Sequence, residues 1–184
     1  CRYGFSAGAL SGSVCRFWRQ PYQHGMGVAA MLRLSIQAAC CAAATADVGD
    51  AVLKRYLQRQ HGINARRLSR LSMLALAGGL GAAAQAGLPA HGNIYMGGAF
   101  SSPSVFQSMM SNVLEEQVAM PFDFLANIHN APVFHLATAL GCHGAGVFLP
   151  LPATGNAWAQ PLLLAANDIA QGIIDSALVG WCYE

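Results

Sequence analysis

The segment that most constrains the fold of this chain is residues 141–156, which predicts a strand, a sharp turn and a helix in immediate succession. Its apolar run Val147, Phe148 and Leu149 predicts a short buried strand. Pro150 and Pro152 follow the run. Because proline lacks a backbone N–H, these two residues limit how far the strand can pair.

The turn at residues 153–156, with the sequence Ala-Thr-Gly-Asn, leads into the predicted helix, and Thr154 or Asn156 is a candidate cap. Many α/β proteins place a nucleophile between a strand and a helix N-terminus, because the helix end stabilises negative charge. This turn has that architecture, but its sequence provides no nucleophile in the usual place.

The rest of the chain alternates apolar strands with Ala-rich or amphipathic helices. Buried strands are expected over residues 93–100 and 176–181, and residues 122–128 are interpreted as a connection. Helices are expected over residues 31–45, 48–60, 65–86, 103–117, 130–140 and 155–171. Gly78, Gly79 and Gly81 would let another backbone approach the third helix. The alternation favours an α/β fold with a mainly parallel sheet and helices on both faces.

The composition is poor in charge, and the charge is unevenly placed. Charged residues make up 10% of the 184 residues and hydrophobic residues 54%, against a typical charged fraction of about 25%. We therefore expect an apolar face that is covered by a partner or by a missing segment. The chain begins at Cys1 rather than Met, which favours a fragment or a processed form.

All ten basic residues lie between Arg2 and Arg70, so residues 1–70 carry +10 − 2 = +8 and residues 71–184 carry −6. The basic half either faces an acidic partner or neutralises the acidic half. Nucleic-acid binding is disfavoured, because the basic cluster contains only one aromatic residue, Tyr56, and matches no binding motif.

The sequence contains no motif for a metal or a nucleotide cofactor. The six cysteines form neither a C-x-x-C pair nor a zinc-type array, which fits reduced core residues in a cytoplasmic protein. Gly78-Gly79-Leu80-Gly81 lies inside a predicted helix, so it is unsuited to phosphate binding. The best membrane-span candidate, residues 27–48, is interrupted by Arg33 and Gln37, so no span is expected.

Five short motifs, in order, resemble the β-ketoacyl synthases. Residues 66–77 with 85–88 resemble the R-R-x-x-R-x-x-x-L-A-L-A…A-G-L helix of that family, and residues 95–100 resemble its next strand and Gly-rich turn. Residues 127–132 are similar to the V-H-N-A-P segment of ketosynthase-like proteins of aryl-polyene and related pathways. Residues 153–156 and 175–180 resemble the A-T-G-N turn and the D-x-A-L-x-G strand.

The resemblance covers residues 65–184, interpreted as a ketosynthase-like N-terminal half, whereas residues 1–64 are a poorly matched segment of the same domain. It implies a thiolase-like fold, in which two similar βαβαβ halves form a subunit that usually dimerises. In active members, a cysteine at the N-terminus of a buried helix holds the acyl chain during decarboxylative condensation. Two basic residues of the second half, usually histidines, assist the decarboxylation.

This chain departs from the family pattern at the nucleophile. When the motifs are aligned on Ala-Thr-Gly-Asn the nucleophile position holds Pro152, and when they are aligned on Gly144 it holds Ala153. Neither side chain can carry an acyl group. The sequence also ends at Glu184, before the second half of the family fold. Thr154, Gly155 and Asn156 keep the turn itself.

The resemblance therefore implies a non-catalytic, chain-length-factor-type subunit that pairs with an active ketosynthase or with itself. Its contact would be made by the strand before the turn, at Val147, Phe148 and Leu149 with Leu151 beyond. An acyl carrier protein is a further possible partner. Its candidate contacts are the basic residues Lys54, Arg55, Arg59, Arg66, Arg67 and Arg70.

Two alternatives stay open. The first is a thiolase-like acyltransferase whose nucleophile has moved to Cys142 or Cys182, although Cys142 and His143 are adjacent and neighbouring side chains point apart. The second is an inactive, truncated ketosynthase fragment. We expect Trp158 to lie in the core or an interface, and His129 to bond local backbone.

Overall fold

A computed structural model describes residues 34–44, 48–86, 91–98, 102–152 and 154–184, together with the backbone of residues 13–19. It contains five strands, which form one sheet in the order β2-β1-β5-β3-β4. The strands are β1 (Ser13–Arg19), β2 (Leu34–Cys41), β3 (Asn93–Gly98), β4 (Gly146–Pro150) and β5 (Ser176–Trp181).

The described residues also form six α-helices. They are α1 (Asp50–His61), α2 (Arg70–Ala86), α3 (Pro103–Leu114), α4 (Pro121–Ala126), α5 (Ala131–Leu140) and α6 (Gln160–Ala170), and a 3₁₀ turn (Ala157–Ala159) precedes α6.

The sheet is mixed rather than mainly parallel. Strand β3 pairs in parallel with β4 on one side and β5 on the other, whereas β1 pairs antiparallel with both β2 and β5. The predicted α/β class is confirmed, and the parallel arrangement holds for the three strands that follow α2. The two antiparallel strands come from the part of the chain that the motifs matched only loosely.

Helices cover both faces of the sheet, as predicted. Successive residues of a strand point to opposite faces. Ile94 and Met96 of β3 therefore pack in one core cluster with α1, α2 and α5, whereas Tyr95 packs in a second cluster with α6. Helix α2 contacts the sheet, and α1 lies on α2 as an outer layer.

Helix α2 is the central helix of the first face, and its residues from Leu71 to Leu80 are all buried. Its glycines admit side chains of neighbouring elements rather than another backbone. A Cβ at Gly79 would lie 2.5 Å from Leu136 Cδ2 of α5, and one at Gly81 would lie 2.5 Å from Cys40 Sγ of β2. The small residues of α2 thus set its distance to α5 and β2.

The predicted helix over residues 31–45 is wrong, because residues 34–41 form β2, while residues 31–33 and 45 lie outside the described residues. Alanine content favoured the helix, but backbone pairing with β1 fixes the extended conformation. The register of the hydrogen bonds between β1 and β2 shifts between Arg16 and Phe17, as at a β-bulge.

Residues 122–128 were predicted to be a connection, but most of them belong to α4. Helix α3 also ends at Leu114, three residues before the predicted end, and Gln117 has a positive φ of 53° that is incompatible with a continuing helix. Helix α3 packs on α4, and neither helix has a buried residue.

The predicted ends of α1 and α5 are confirmed. Gly62 and Gly141 follow these helices with positive φ values of 69° and 65°, the left-handed conformation that glycine adopts without strain. Leu53 and Leu57 form the buried face of α1. The neighbouring Val52 is 42% exposed.

His61, at the end of α1, predicts a pH dependence of stability. Its Nε2 is buried without a hydrogen-bond partner in the described part of the chain, and burial lowers the pKa of its imidazole. The unfolded chain therefore binds a proton more readily than the folded one. The free energy of unfolding should fall as the pH drops below the ordinary value of about 6.5.

Urea unfolding at several pH values between 7.5 and 5 tests this prediction. The variant His61→Phe should lose less stability on acidification than the parent. Some pH dependence of the free energy of unfolding should remain in this variant, because burial also lowers the pKa of His135. An unchanged pH dependence in His61→Phe would contradict the proposed cost of protonating His61.

Candidate functional site

The carboxyl ends of β3, β4 and β5 meet at one edge of the sheet, where open α/β sheets usually bind ligands. Two backbone hydrogen bonds extend the pairing at this edge. The Leu151 N–H donates to the Gly98 carbonyl and the Cys182 N–H donates to the Gly97 carbonyl, both at 2.8 Å. The turn that follows β4 therefore begins at the edge where a functional site is expected.

The glycines that end β3 bring these chain segments close together. A Cβ at Gly97 would lie 2.8 Å from both the Pro161 ring and the Trp181 ring. A Cβ at Gly98 would collide with the backbone carbonyl of Cys182 and lie 2.9 Å from the Phe148 ring. The two glycines therefore leave room for the rings of Pro161, Trp181 and Phe148 and for the backbone of Cys182.

The turn after β4 is exposed at Pro152, Thr154, Gly155 and Asn156, and Ala153 lies outside the described residues. Gly155 has a positive φ of 58°, which fits the tight turn read from the sequence. The predicted caps are wrong. Helix α6 has Ala159 as its N-cap, and the Asn156 side chain makes no cap hydrogen bond to the 3₁₀ turn.

Helix α6 begins five residues later than the sequence predicted, at Gln160 instead of residue 155. Proline at the start of a helix is favourable because its missing N–H would have no partner there, and Pro161 occupies that position. The 3₁₀ turn separates Pro152 from α6, and the helix starts 160 − 152 = 8 positions after that residue. Pro152 is therefore not on the first turn of the helix.

Ser102 and Glu184 form a polar contact at this edge that the sequence did not indicate. Ser102 is fully buried and its hydroxyl donates to the Glu184 carboxylate. Ser102 is the N-cap residue of α3, but its side chain makes no cap hydrogen bond. The contact ties the start of α3 to the chain beyond β5.

The two candidate nucleophiles lie at opposite ends of the sheet. Cys182 follows β5 at the carboxyl edge, whereas Cys142 precedes β4. Both side chains are buried, at 1% and 8% exposure. Burial raises the pKa of the Cys142 thiol, and it raises the pKa of Cys182 to about 12. An activated cysteine needs the opposite shift.

A second polar network connects the sheet to α6. The Tyr95 hydroxyl donates to Asp168 Oδ2 at 2.5 Å, and it accepts a bond from Asn93 Nδ2 at 3.3 Å. Asn93 Oδ1 in turn accepts the Ala145 N–H at 3.1 Å. Burial raises the pKa of Tyr95, which keeps its hydroxyl protonated as a donor. The network fixes α6 over β3.

Strand β4 is an edge strand, and this corrects the prediction of a buried one. Only Phe148 is buried, whereas Val147, Leu149 and Leu151 are half-buried. Ala145 and Leu151 direct backbone groups toward β3. Because these groups alternate along a strand, the N–H and C=O of Gly146 and Phe148 point away from β3. No other described strand pairs with that side.

The basic residues predicted to meet an acidic partner divide into two groups. Arg70 is half-buried and binds Asp50 Oδ1 at 3.0 Å and the Val48 carbonyl at 2.8 Å, so it holds the start of α2. Arg67 lies 4.4 Å from the centre of the Phe122 ring, a cation–π contact. Of the other basic residues, Lys54 is half-buried, and three are exposed: Arg55, Arg59 and Arg66.

The other residues named from the sequence are at the surface. Trp158 is 59% exposed, so it does not lie in the core, and its place in an interface stays a prediction. His129 is also exposed. Among the described residues, no cluster of three or more histidines, cysteines or acids is arranged to hold a metal ion. The same residues contain no helix with the length and hydropathy needed to cross a membrane.

The burial of Cys142 and Cys182 predicts that neither thiol reacts in the folded protein. Peptide mapping after iodoacetamide treatment should find both residues alkylated in denaturant, and modified at least about tenfold more slowly without it. Incubation with an acyl-carrier thioester should leave both unmodified. An acyl adduct on either cysteine, detected by intact mass and located by mapping, would support the relocated-nucleophile alternative instead.

No family model matches the chain, and no curated protein matches its sequence.

Proposed function

We propose that this chain is a non-catalytic ketosynthase-like subunit of the chain-length-factor type, and that it acts by pairing with an active ketosynthase. The order of the five motifs supports this proposal. The Ala-Thr-Gly-Asn motif lies in the turn after β4, and the Asp-x-Ala-Leu-x-Gly motif covers β5. Both belong to the parallel part of the sheet. The fold that corresponds to this proposed function is one half of a thiolase-like fold.

The observation that carries the proposal is the open edge of β4. An unpaired strand edge is a template for pairing with another chain. An antiparallel partner strand centred on Phe148 would exchange two hydrogen bonds with its backbone N–H and C=O groups. In a symmetric pair, Gly146 would lie opposite Pro150 of the second copy, and the Gly146 N–H could donate to that proline carbonyl.

Pro150 limits this pairing to a short segment. It has no N–H to return to Gly146 of the partner, so each symmetry-related end has one hydrogen bond instead of two. A symmetric contact therefore has about four backbone hydrogen bonds in total. The half-buried side chains of Val147 and Leu149 would add apolar contact beside them. An active ketosynthase with a comparable edge strand could take the place of the second copy.

The chemistry of the site supports association rather than catalysis. Pro152 has no nucleophilic atom. Cys182 is the candidate thiol at the carboxyl ends of the strands, and burial raises its pKa to about 12. The active partner would supply both the acyl-cysteine and the decarboxylation. The exposed basic residues of α1, Arg55 and Arg59, remain available for an acidic partner such as an acyl carrier protein.

Charged substitutions on β4 test the pairing. The double variant Val147→Lys/Leu149→Lys places two charges at the edge, which should prevent a second strand from docking. Association, measured by sedimentation velocity for the chain alone and with a purified ketosynthase, should weaken at least about tenfold, or about 1.4 kcal/mol. Circular dichroism establishes that the variant is folded.

Leu163→Lys is the matched control, because Leu163 is 57% exposed on α6 and lies outside the proposed contact. This variant should assemble as the parent does. A parent chain that stays monomeric at all concentrations and binds no ketosynthase would contradict the proposal. Equal weakening by the control would attribute the effect to general charge rather than to β4.

A further inference from the structure

The helical hairpin formed by α3 and α4 presents an apolar surface of its own. The surface consists of six side chains that are between 44% and 69% exposed, namely Val113, Leu114, Val118, Met120, Phe124 and Leu125. They follow one another along the end of α3, the connecting turn and α4. A soluble monomer rarely exposes so many large apolar side chains together, and such a patch marks an interaction site. We call it the hairpin surface.

The hairpin has a defined internal geometry. Asn112 Nδ2 donates to Asp123 Oδ2 at 3.1 Å and joins α3 to α4. The Val118 N–H donates to the Asn112 carbonyl at 3.0 Å and closes the turn, where Gln117 has a positive φ. The turn and the helix pair are thus arranged before any partner arrives, which lowers the entropic cost of binding.

The charge of the hairpin restricts what can cover it. Residues 103–128 contain three acids, Glu115, Glu116 and Asp123, and no lysine or arginine. Arg67 reaches the hairpin from outside and covers the Phe122 ring. Even when Arg67 is included, the sum is −3 + 1 = −2. A complementary partner is apolar on one side and positively charged around it.

We propose that the hairpin surface docks a basic amphipathic helix of another protein. Helical partners insert an apolar face into a groove or onto a helix pair, and a flexible Met side chain such as Met120 adapts to that face. A basic border on the partner would meet Glu115 and Glu116. This surface is separate from the β4 edge, so the inference goes beyond the proposed function.

The same charges disfavour other occupants. Anionic lipid surfaces attract basic segments and repel acidic ones, and the phosphates of nucleic acids do the same. Two copies of the hairpin surface facing each other would bring like charges together. A basic helix is the class of partner that satisfies both the apolar and the acidic part of the surface.

Synthetic peptides of about 14 residues, or four helical turns, test the proposal. The probe is a fluorescein-labelled amphipathic helix of leucine and lysine, and its control is the same sequence with glutamate in place of lysine. Fluorescence anisotropy with the full chain should show saturable binding of the lysine peptide. The glutamate peptide should bind at least about tenfold more weakly.

Matched variants locate the binding. The double variant Leu114→Ser/Phe124→Ser removes two of the most exposed side chains of the hairpin surface and should weaken the lysine peptide at least about tenfold. Leu163→Ser/Ile173→Ser is the control, since these residues are 57% and 64% exposed in and after α6. It should bind as the parent does. Glu115→Lys/Glu116→Lys should reduce the preference for the lysine peptide.

The inference would be overturned if the two peptides bound equally well, or if the α6 control lost as much peptide binding as Leu114→Ser/Phe124→Ser. It would also be overturned by binding to vesicles of anionic phospholipid that depends on Leu114 and Phe124, or by self-association of the chain that Leu114→Ser/Phe124→Ser abolishes. The last would indicate a second copy as the occupant. Val147→Lys/Leu149→Lys should leave peptide binding unchanged, so failure at the β4 edge and failure at the hairpin surface are distinguishable.

Discussion

The fold depends on the burial of β3 between two helical layers. Every residue of this strand is buried. Ile94 and Met96 face the layer of α2 and α5, and Tyr95 faces α6. At its end, Gly97 and Gly98 have no room for a side chain, because the rings of Trp181 and Phe148 and the backbone of Cys182 lie against them. The Leu151 N–H donates to the Gly98 carbonyl, and this bond holds the start of the turn after β4 against β3.

The sequence predicted those elements whose signals are local. Apolar runs indicated β3 and β5, and a glycine after the helix indicated the end of α5, because such signals depend on neighbouring residues. Strand β2 was predicted as a helix because alanine has a strong helix propensity, which pairing with β1 overrides. Helix α4 has only 6 residues and no buried side chain, so it lacked a periodic apolar signal.

The polar contacts of the candidate site could not be predicted in this way. Ser102 and Glu184 are 82 positions apart, and Tyr95 and Asp168 are 73 positions apart. Only the topology of the sheet brings them together. That Pro152 stands at the nucleophile position of the family stays a prediction. The sequence did not predict the 3₁₀ turn that separates this residue from α6, which starts at Gln160 with Pro161 in its first positions.

Two surfaces of the protein carry the apolar side chains that were expected from the low charge of the chain. The edge of β4 has unpaired backbone groups beside half-buried apolar side chains, and the hairpin surface has exposed apolar side chains beside acids. Both suit association, one through backbone pairing and the other through side-chain packing. A protein that acts through its partners needs surfaces of this kind.

Hydrogen exchange of single backbone amides tests the pairing of β4 most directly. The Leu151 amide donates to Gly98 within the chain, so it should be protected at every concentration. The Phe148 amide points away from β3 and should exchange rapidly in the dilute chain. Its exchange should slow as the concentration rises or as a ketosynthase is added. Rapid exchange at Phe148 under all of these conditions would contradict the account.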